Sequence, residues 1–249
     1  MGLKKLAARG LGTLGGGAHQ KRAFTSYALR LLARRLDLRL YDRDSNWHRD
    51  EPFLEMMRRH DPDYKRVRER HFLLYSLARS LRHLPGDTAE CGVYKGASSH
   101  LIMTAFDDAR DHHLFDSFCG LSEPSDRDRP AGREAKPWAQ GDLAFGRDAV
   151  ETALQAHKNM HFHEGWIPAE FHHVTERSFC LVHIDVDLYA PTKDSFDFFY
   201  PRLVPGGMVV CDDYGFDTCP GARQAMDEGA AAVGRQVIHV PTGQGLVLK

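Results

Sequence analysis

Two short segments hold residues whose types and spacing can do chemistry. "CLVHIDVD" brings Asp185 and Asp187 to the end of an apolar run, and "MVVCDD" does the same for Asp212 and Asp213. In an extended strand, residues i and i+2 point the same way about 6–7 Å apart. Asp185 and Asp187 are therefore expected to share a face with His183, while Val182, Ile184 and Val186 fill the other. If the two strands are neighbours, three or four carboxylates meet in one crevice. Like charges that close raise one another's pKa and destabilise the fold unless a cation or a proton intervenes. An all-oxygen donor set favours a hard ion, Mg²⁺ first, with Mn²⁺ or Ca²⁺ as substitutes. The competing reading is helix capping, by Asp187 ahead of "LYAPTKDSF" and by Asp213 ahead of "YGFDTCPGARQAM".

A glycine-rich turn supplies a second constellation. "DTAECGVYKGASSHLIM" reads as strand, turn and helix, in which Gly92 and Gly96 allow a tight turn and Ser98 and Ser99 stand where they can cap the helix. The spacing E-x-G-x-x-x-G departs from the G-x-G-x-x-G dinucleotide fingerprint. Glu90 ends the strand where a carboxylate can meet a cationic amine. Asp116 in "HLFDSF" ends the next strand, where an acidic residue takes ribose hydroxyls. Carboxylates in both places suit S-adenosylmethionine better than a phosphate-bearing nucleotide. The 15 histidines raise a zinc alternative through His161 and His163, His112 and His113, and His172 and His173. No pair is joined to a second ligand pair in sequence, so these are expected to be strand-end residues rather than a zinc site.

These residues need a scaffold. The chain has 249 residues, 42% hydrophobic and 27% charged, with Lys+Arg 33 against Asp+Glu 34. Those are ordinary globular values, enough for a full core and without a global field for nucleic acid or an anionic membrane. No apolar stretch approaches the ~20 residues that cross a bilayer. Cys91, Cys119, Cys180, Cys211 and Cys219 are an odd number without C-x-x-C spacing, read as small hydrophobes in a reducing, cytoplasmic setting. Residues 1–22 are expected to be a flexible basic leader, with a membrane-touching basic arm as the alternative. Residues 23–85 carry Arg and Leu at helical spacing, clearest in "RVRERHFLLYSLARSLRHL", which Pro85-Gly86 stops.

From residue 86 the texture changes. "TAECGV", "HLFDSF", "MHFHEG", "CLVHIDVD", "MVVCDD" and "RQVIHV" read as strands, and "SSHLIMTAF", "LAFGRDAVETALQAHKN", "TKDSFDFFYPRL" and "GARQAMDEGAAAV" as the helices between them. Such alternation implies right-handed crossovers, a mostly parallel α/β sheet covered on both faces, and ligands beyond the strands' carboxyl ends.

The ordered set "PGDTAECGVYKGASS", "LFDSFCGLSEPS", "HEGW", "HIDVDLYAPT", "YPRLVPGGMVVCDDYGF", "GARQAMDE" and "PTGQGLVLK" resembles the magnesium-dependent O-methyltransferases of the macrocin and mycinamicin type (TylF/MycF), over residues 86–249. The resemblance implies the class I methyltransferase fold, a Rossmann-like sheet of seven strands with the last antiparallel, under an N-terminal helical lid at residues 23–85. It implies that Glu90, Gly92, Gly96 and Ser98 line the methionine part of S-adenosylmethionine, that Asp116 with Ser117 holds the ribose, and that Gly165 and Trp166 lie near the adenine. It makes Asp185, Asp212 and Asp213 the Mg²⁺ ligands and Asp187 the general base, with base and ligand within D-x-D left open. Tyr64 and Glu69 are candidates for the lid's contact with substrate. The implied partner is a hydroxyl acceptor on a small molecule or glycan, without nucleic acid, and a homo-oligomer through the N-terminal helices is compatible with it. Two rivals stand beside this expectation: a D-x-D metal-dependent glycosyltransferase, and a non-catalytic module that binds an adenosyl ligand.

Overall fold

The computed structural model describes residues 46–64, 68–130 and 137–249, with residues 25, 27–29, 31–33 and 35. The chain divides into two units, Met1–Arg49 and Asp50–Lys249. In the first, the described residues between 25 and 35 are helical and Trp47–Arg49 form a 3-10 turn. The expected leader, residues 1–22, lies outside the described residues.

The second unit begins with two helices. In α1 (Glu51–His60) the Asp50 side chain accepts a 2.8 Å hydrogen bond from the Phe53 backbone N–H, and Pro52 fits the first turn, where no N–H partner is needed. Its apolar face buries Phe53, Leu54 and Met57. Helix α2 (Glu69–Ser80) follows, shorter than the sequence pattern because the chain passes into turns at Leu81–His83, ahead of Pro85. Both helices pack on α3 (Ala97–Ala105).

Seven strands form one sheet: β1 (Asp87–Cys91), β2 (His112–Asp116), β3 (Met160–Glu164), β4 (Phe179–Ile184), β5 (Leu203–Cys211), β6 (Ile238–His239) and β7 (Gly245–Leu248), in the order β3-β2-β1-β4-β5-β7-β6. The first five are parallel, and β7 runs antiparallel to both β5 and β6. The fold is thus a Rossmann-like, mostly parallel sheet with an N-terminal helical extension. Strand order reverses between β1 and β4, and the crevice beyond their carboxyl ends is the topological switch point. β7 was not among the strands read from residue pattern; "GLVL" is too short and too close to the chain end for alternation to mark it.

Alternate residues feed two cores, as the two-residue period of a strand requires. Phe115, Val182, Ile184 and Val209 pack with Phe196, Phe199 and Met226 of α5 (Tyr189–Phe199) and α6 (Pro220–Ala232). On the other face Leu114 packs with Val150 and Leu154 of α4 (Arg147–Leu154). α4 is shorter than its apolar pattern predicted, because residues 143–146 form turn and loop and a turn follows Leu154. All five cysteines are free; four are buried and Cys119 is exposed.

Candidate active site

β4 stops at Ile184, so Asp185 and Asp187 lie on the loop beyond the strand rather than within it. This corrects the expectation of a shared strand face with His183. Asp187 takes a left-handed backbone, φ 59°, which swings its side chain out of the strand period. Its N–H donates to Asp213 Oδ2 at 2.9 Å, and Cys219 Sγ lies 3.5 Å from its Oδ1. Asp212 and Asp213 follow the end of β5, the strand beside β4. Carboxylate oxygens of Asp185, Asp212 and Asp213 lie within 4.8 Å of one another. Neither Asp187 nor Asp213 caps the helix ahead of it. α5 has no side-chain cap from its own N-cap residue; instead Asp128 Oδ1 accepts from Tyr189 N–H at 2.6 Å.

The electrostatics follow from this crowding. Burial, then the charge of Asp212, pushes the Asp185 carboxyl well above the usual range, although Asp185 is partly open to the cleft. Burial and the charges of Asp185, Asp187 and Asp212 do the same to Asp213. Burial lifts Asp187 to about 6. Asp212 goes the other way: burial works against ionisation, but His183, Arg70 and Gln244 together hold its carboxyl low.

Arg70 and Gln244 were missed by the sequence reading, which named His183 only as a neighbour on the face of Asp185 and Asp187. Arg70, in the first turn of α2, places a guanidinium against Asp212 Oδ2 and over the Phe216 ring, 4.9 Å from its centroid. Gln244 Nε2 donates to Asp212 Oδ1 at 2.7 Å, and His183 Nε2 lies 3.5 Å from the same oxygen, an ion-pair separation rather than a hydrogen bond. Tyr64 and Glu69 do not reach this point; Tyr64 is buried and its hydroxyl pairs with His71 Nδ1 at 3.2 Å. The signal for Gln244 stood in "PTGQGLVLK", and that for Arg70 in the basic start of α2, one residue from Glu69.

Glu90 also differs from expectation. It is fully buried and faces the sheet's interior, not an open amine site. In the register it lies beside His183, whose Nδ1 is 2.9 Å from Glu90 Oε1, and the Ser99 hydroxyl donates to Oε2. Ser99 therefore serves Glu90 rather than capping α3, whose N-cap is Gly96 in a left-handed conformation without a side-chain bond. Burial opposes ionisation of Glu90, yet His112 and His183 bring it down to about 2. Burial would likewise depress His183, but Asp212 and Glu90 raise it well above the usual value. A buried Glu90–His183 pair thus runs beneath Asp212.

A cleft of about 250 Å³ opens at the switch point, lined by Gly92, Asp116, Ser117, Gly165, Trp166, Asp185, Asp187 and Asp213 of the expected residues, and by Arg70. Glu90, Gly96, Ser98 and Asp212 do not line it. Gly92 has φ 84°, and a Cβ there would stand 1.9 Å from the Asp185 carbonyl oxygen, so only glycine lets the β1 turn close on the Asp185 loop. Asp116 accepts N–H bonds from Val93 at 2.7 Å and Phe118 at 2.7 Å, which anchors both loops and fixes its carboxylate at the cleft wall. Trp166, 46% exposed, offers an aromatic face there.

Comparison with known proteins gives this cleft a context. Residues 66–238 match the family model described as Macrocin-O-methyltransferase (TylF). The chain is 30% identical over 148 residues to the 8-demethyl-8-(2,3-dimethoxy-alpha-L-rhamnosyl)-tetracenomycin-C 4'-O-methyltransferase of Streptomyces olivaceus, covering 56% of this chain and 57% of that protein. It is 29% identical over 157 residues to the Mycinamicin III 3''-O-methyltransferase of Micromonospora griseorubida, covering 58% and 60%. The match thus spans less than two thirds of these relatives. Among solved structures, the calicheamicin methyltransferase CalS11 superposes with TM-score 0.62 at 21% identity over 72% of this chain and 77% of that one. The O-methyltransferase NovP gives 0.57 at 23% over 72% and 79%. At these identities the two superpositions establish the fold.

Proposed function

The chain belongs to the macrocin-O-methyltransferase (TylF) family, and from that premise we propose that it transfers the methyl group of S-adenosylmethionine to a hydroxyl of a natural-product sugar or related glycan, with the help of a divalent cation. The observation that carries this reading is the convergence of Asp185, Asp212 and Asp213 beside a cleft walled by Gly92, Asp116 and Trp166. The methyltransferase relatives leave the glycosyltransferase rival without a supporting observation, and the crowded carboxylates beside the cleft speak against a diphosphate.

The residues fit a hard cation. All donors are carboxylate oxygens, and two of the three carboxyls resist ionisation for want of a counter-charge. Mg²⁺ would be held by Asp185, Asp212 and Asp213, and when bound supplies Lewis acidity that lowers the pKa of an acceptor hydroxyl. Asp187, next to that set but not within it, takes the hydroxyl proton on a carboxylate oxygen, and a cation held by its neighbours favours the ionised form that can act as base. Asp116 would accept from ribose hydroxyls, and Trp166 would stack on the adenine. Glu90 and His183 hold Asp212 from below, and Arg70 holds it from the side. In this reading residues 86–249 are the cofactor domain, and Arg70 of α2 is the contact that the helices ahead of that domain make with the carboxylate cluster.

Methyl-labelled S-adenosylmethionine offered with a panel of deoxysugar glycosides and Mg²⁺ tests the reading. Wild type should label at least one glycoside, and Asp187→Asn should lose ~100-fold or more in rate while still binding S-adenosylhomocysteine. Equal rates for the variant would remove Asp187 from the chemistry.

A further inference from the structure

The opposite end of the sheet carries a second cluster that the methyl-transfer reading leaves unused. Asp87 opens β1, Asp111 precedes β2, and His113 and His161 face one another as register partners on β2 and β3. His113 is 3% exposed and its Nε2 is buried without a hydrogen-bond partner. An unpaired buried ring nitrogen is costly and calls for an explanation. Here it is aimed at carboxylates: Asp87 Oδ2 lies 3.5 Å from His113 Nε2, and one ligand atom each from Asp87, Asp111 and His113 falls within 4.8 Å of the others. His161 Nε2 stands 3.0 Å from Asp111 Oδ1.

From these positions we propose that Asp87, Asp111 and His113 form a site for a borderline divalent metal of the zinc type, with water completing the shell and His161 bonding Asp111 from outside it. One imidazole and two carboxylates with an open position suit Zn²⁺, with Co²⁺ as its spectroscopic substitute. Metal–ligand bonds of about 2.0–2.2 Å in a tetrahedron separate the donors by ~3.3 Å. The 3.5 Å between Asp87 and His113 is close to that edge, long for a hydrogen bond and right for two ligands of one ion. His113 Nδ1 pairs with His163 Nε2 at 3.1 Å, the outer contact that orients a metal-bound imidazole. A cation already marks the place: Arg177 Nη1 lies 3.2 Å from both Asp87 Oδ2 and Asp111 Oδ2. Arg177 is half exposed and can swing into solvent at little cost when a metal arrives. The bound ion would tie together the starts of β1 and β2, away from the catalytic cleft.

Co²⁺ titration of the full chain in excess Mg²⁺, which saturates the all-oxygen carboxylates, reads the site through the intense visible band of tetrahedral, nitrogen-ligated cobalt. One equivalent should give the band in wild type and equally in Asp212→Asn. Asp111→Asn, at a partly exposed position that spares the core, should weaken Co²⁺ by more than ~100-fold, since loss of an outer-shell contact alone costs about 10–100-fold. Arg177→Gln should tighten it by up to ~10-fold. The proposal is overturned if wild type gives no band, if the band survives unchanged in Asp111→Asn, or if it arises only after Arg177→Gln.

Discussion

Replacing Arg70 by alanine is the sharpest perturbation of the carboxylate cluster. The guanidinium pairs with Asp212, which is 10% exposed, while Arg70 itself is 40% exposed. A hydrogen bond to a charged group contributes about 1.5–3 kcal/mol, and the arginine's exposure reduces this to about 1–2 kcal/mol. In the metal-free chain that interaction competes with any divalent ion for Asp212. Arg70→Ala should therefore tighten Mn²⁺ or Mg²⁺ binding by about 5–30-fold, at 1.4 kcal/mol per factor of ten. The same variant should be less stable in EDTA, because Asp212 then keeps only His183 as a cationic neighbour. Calorimetric metal titration, with Asp212→Asn as the variant lacking the contested ligand, reads the effect. Unchanged or weaker metal binding in Arg70→Ala would refute the idea that arginine and metal share one carboxylate.

Three further perturbations bear on the same site. The Asp187 carboxyl sits at about 6, above its ordinary 3.8, so the folded chain holds the proton more tightly than the unfolded one. Its stabilising contribution is full below about 4 and is lost as pH rises through about 6, a fall of about 3 kcal/mol; in EDTA, Asp187→Asn should flatten that part of the Tm profile, and parallel profiles would contradict the assignment. Glu90→Gln removes one of the two carboxylates that face the buried, charged His183 and should cost about 3–5 kcal/mol in denaturant unfolding. A loss below about 1 kcal/mol would mean that the buried pair is not ionised. Gly92→Ala forces a Cβ against the Asp185 carbonyl in a backbone region that side chains disfavour, so it should lose more than about 2 kcal/mol of stability and weaken metal binding as well. A variant with native stability and affinity would show that the two loops can part freely.

The sheet was legible because its strands are short apolar runs separated by helical patterns, and the aspartates were legible because they end two of those runs. What was hidden depended on register and on approach from afar. Glu90 looks like a strand-end carboxylate in sequence, but its neighbour across the sheet is His183, 93 residues away, and the pair closes on itself. Arg70 meets Asp212 across 142 residues, which no local pattern encodes. β4 ends at Ile184, ahead of both aspartates, and Asp187 is left-handed, so neither keeps the alternation that had paired them on one face. The histidines looked unconnected because their links run across β2 and β3, where His113 and His161 become neighbours only once the strands pair.

The most direct test of the central claim is calorimetric titration of the chain with S-adenosylhomocysteine, with and without Mg²⁺, in wild type, Asp116→Ala and Asp212→Asn. The account predicts micromolar binding in wild type and Asp212→Asn, and at least ~10-fold weaker binding in Asp116→Ala through the lost ribose hydrogen bonds. No binding of the nucleoside to wild type under any metal condition would contradict it.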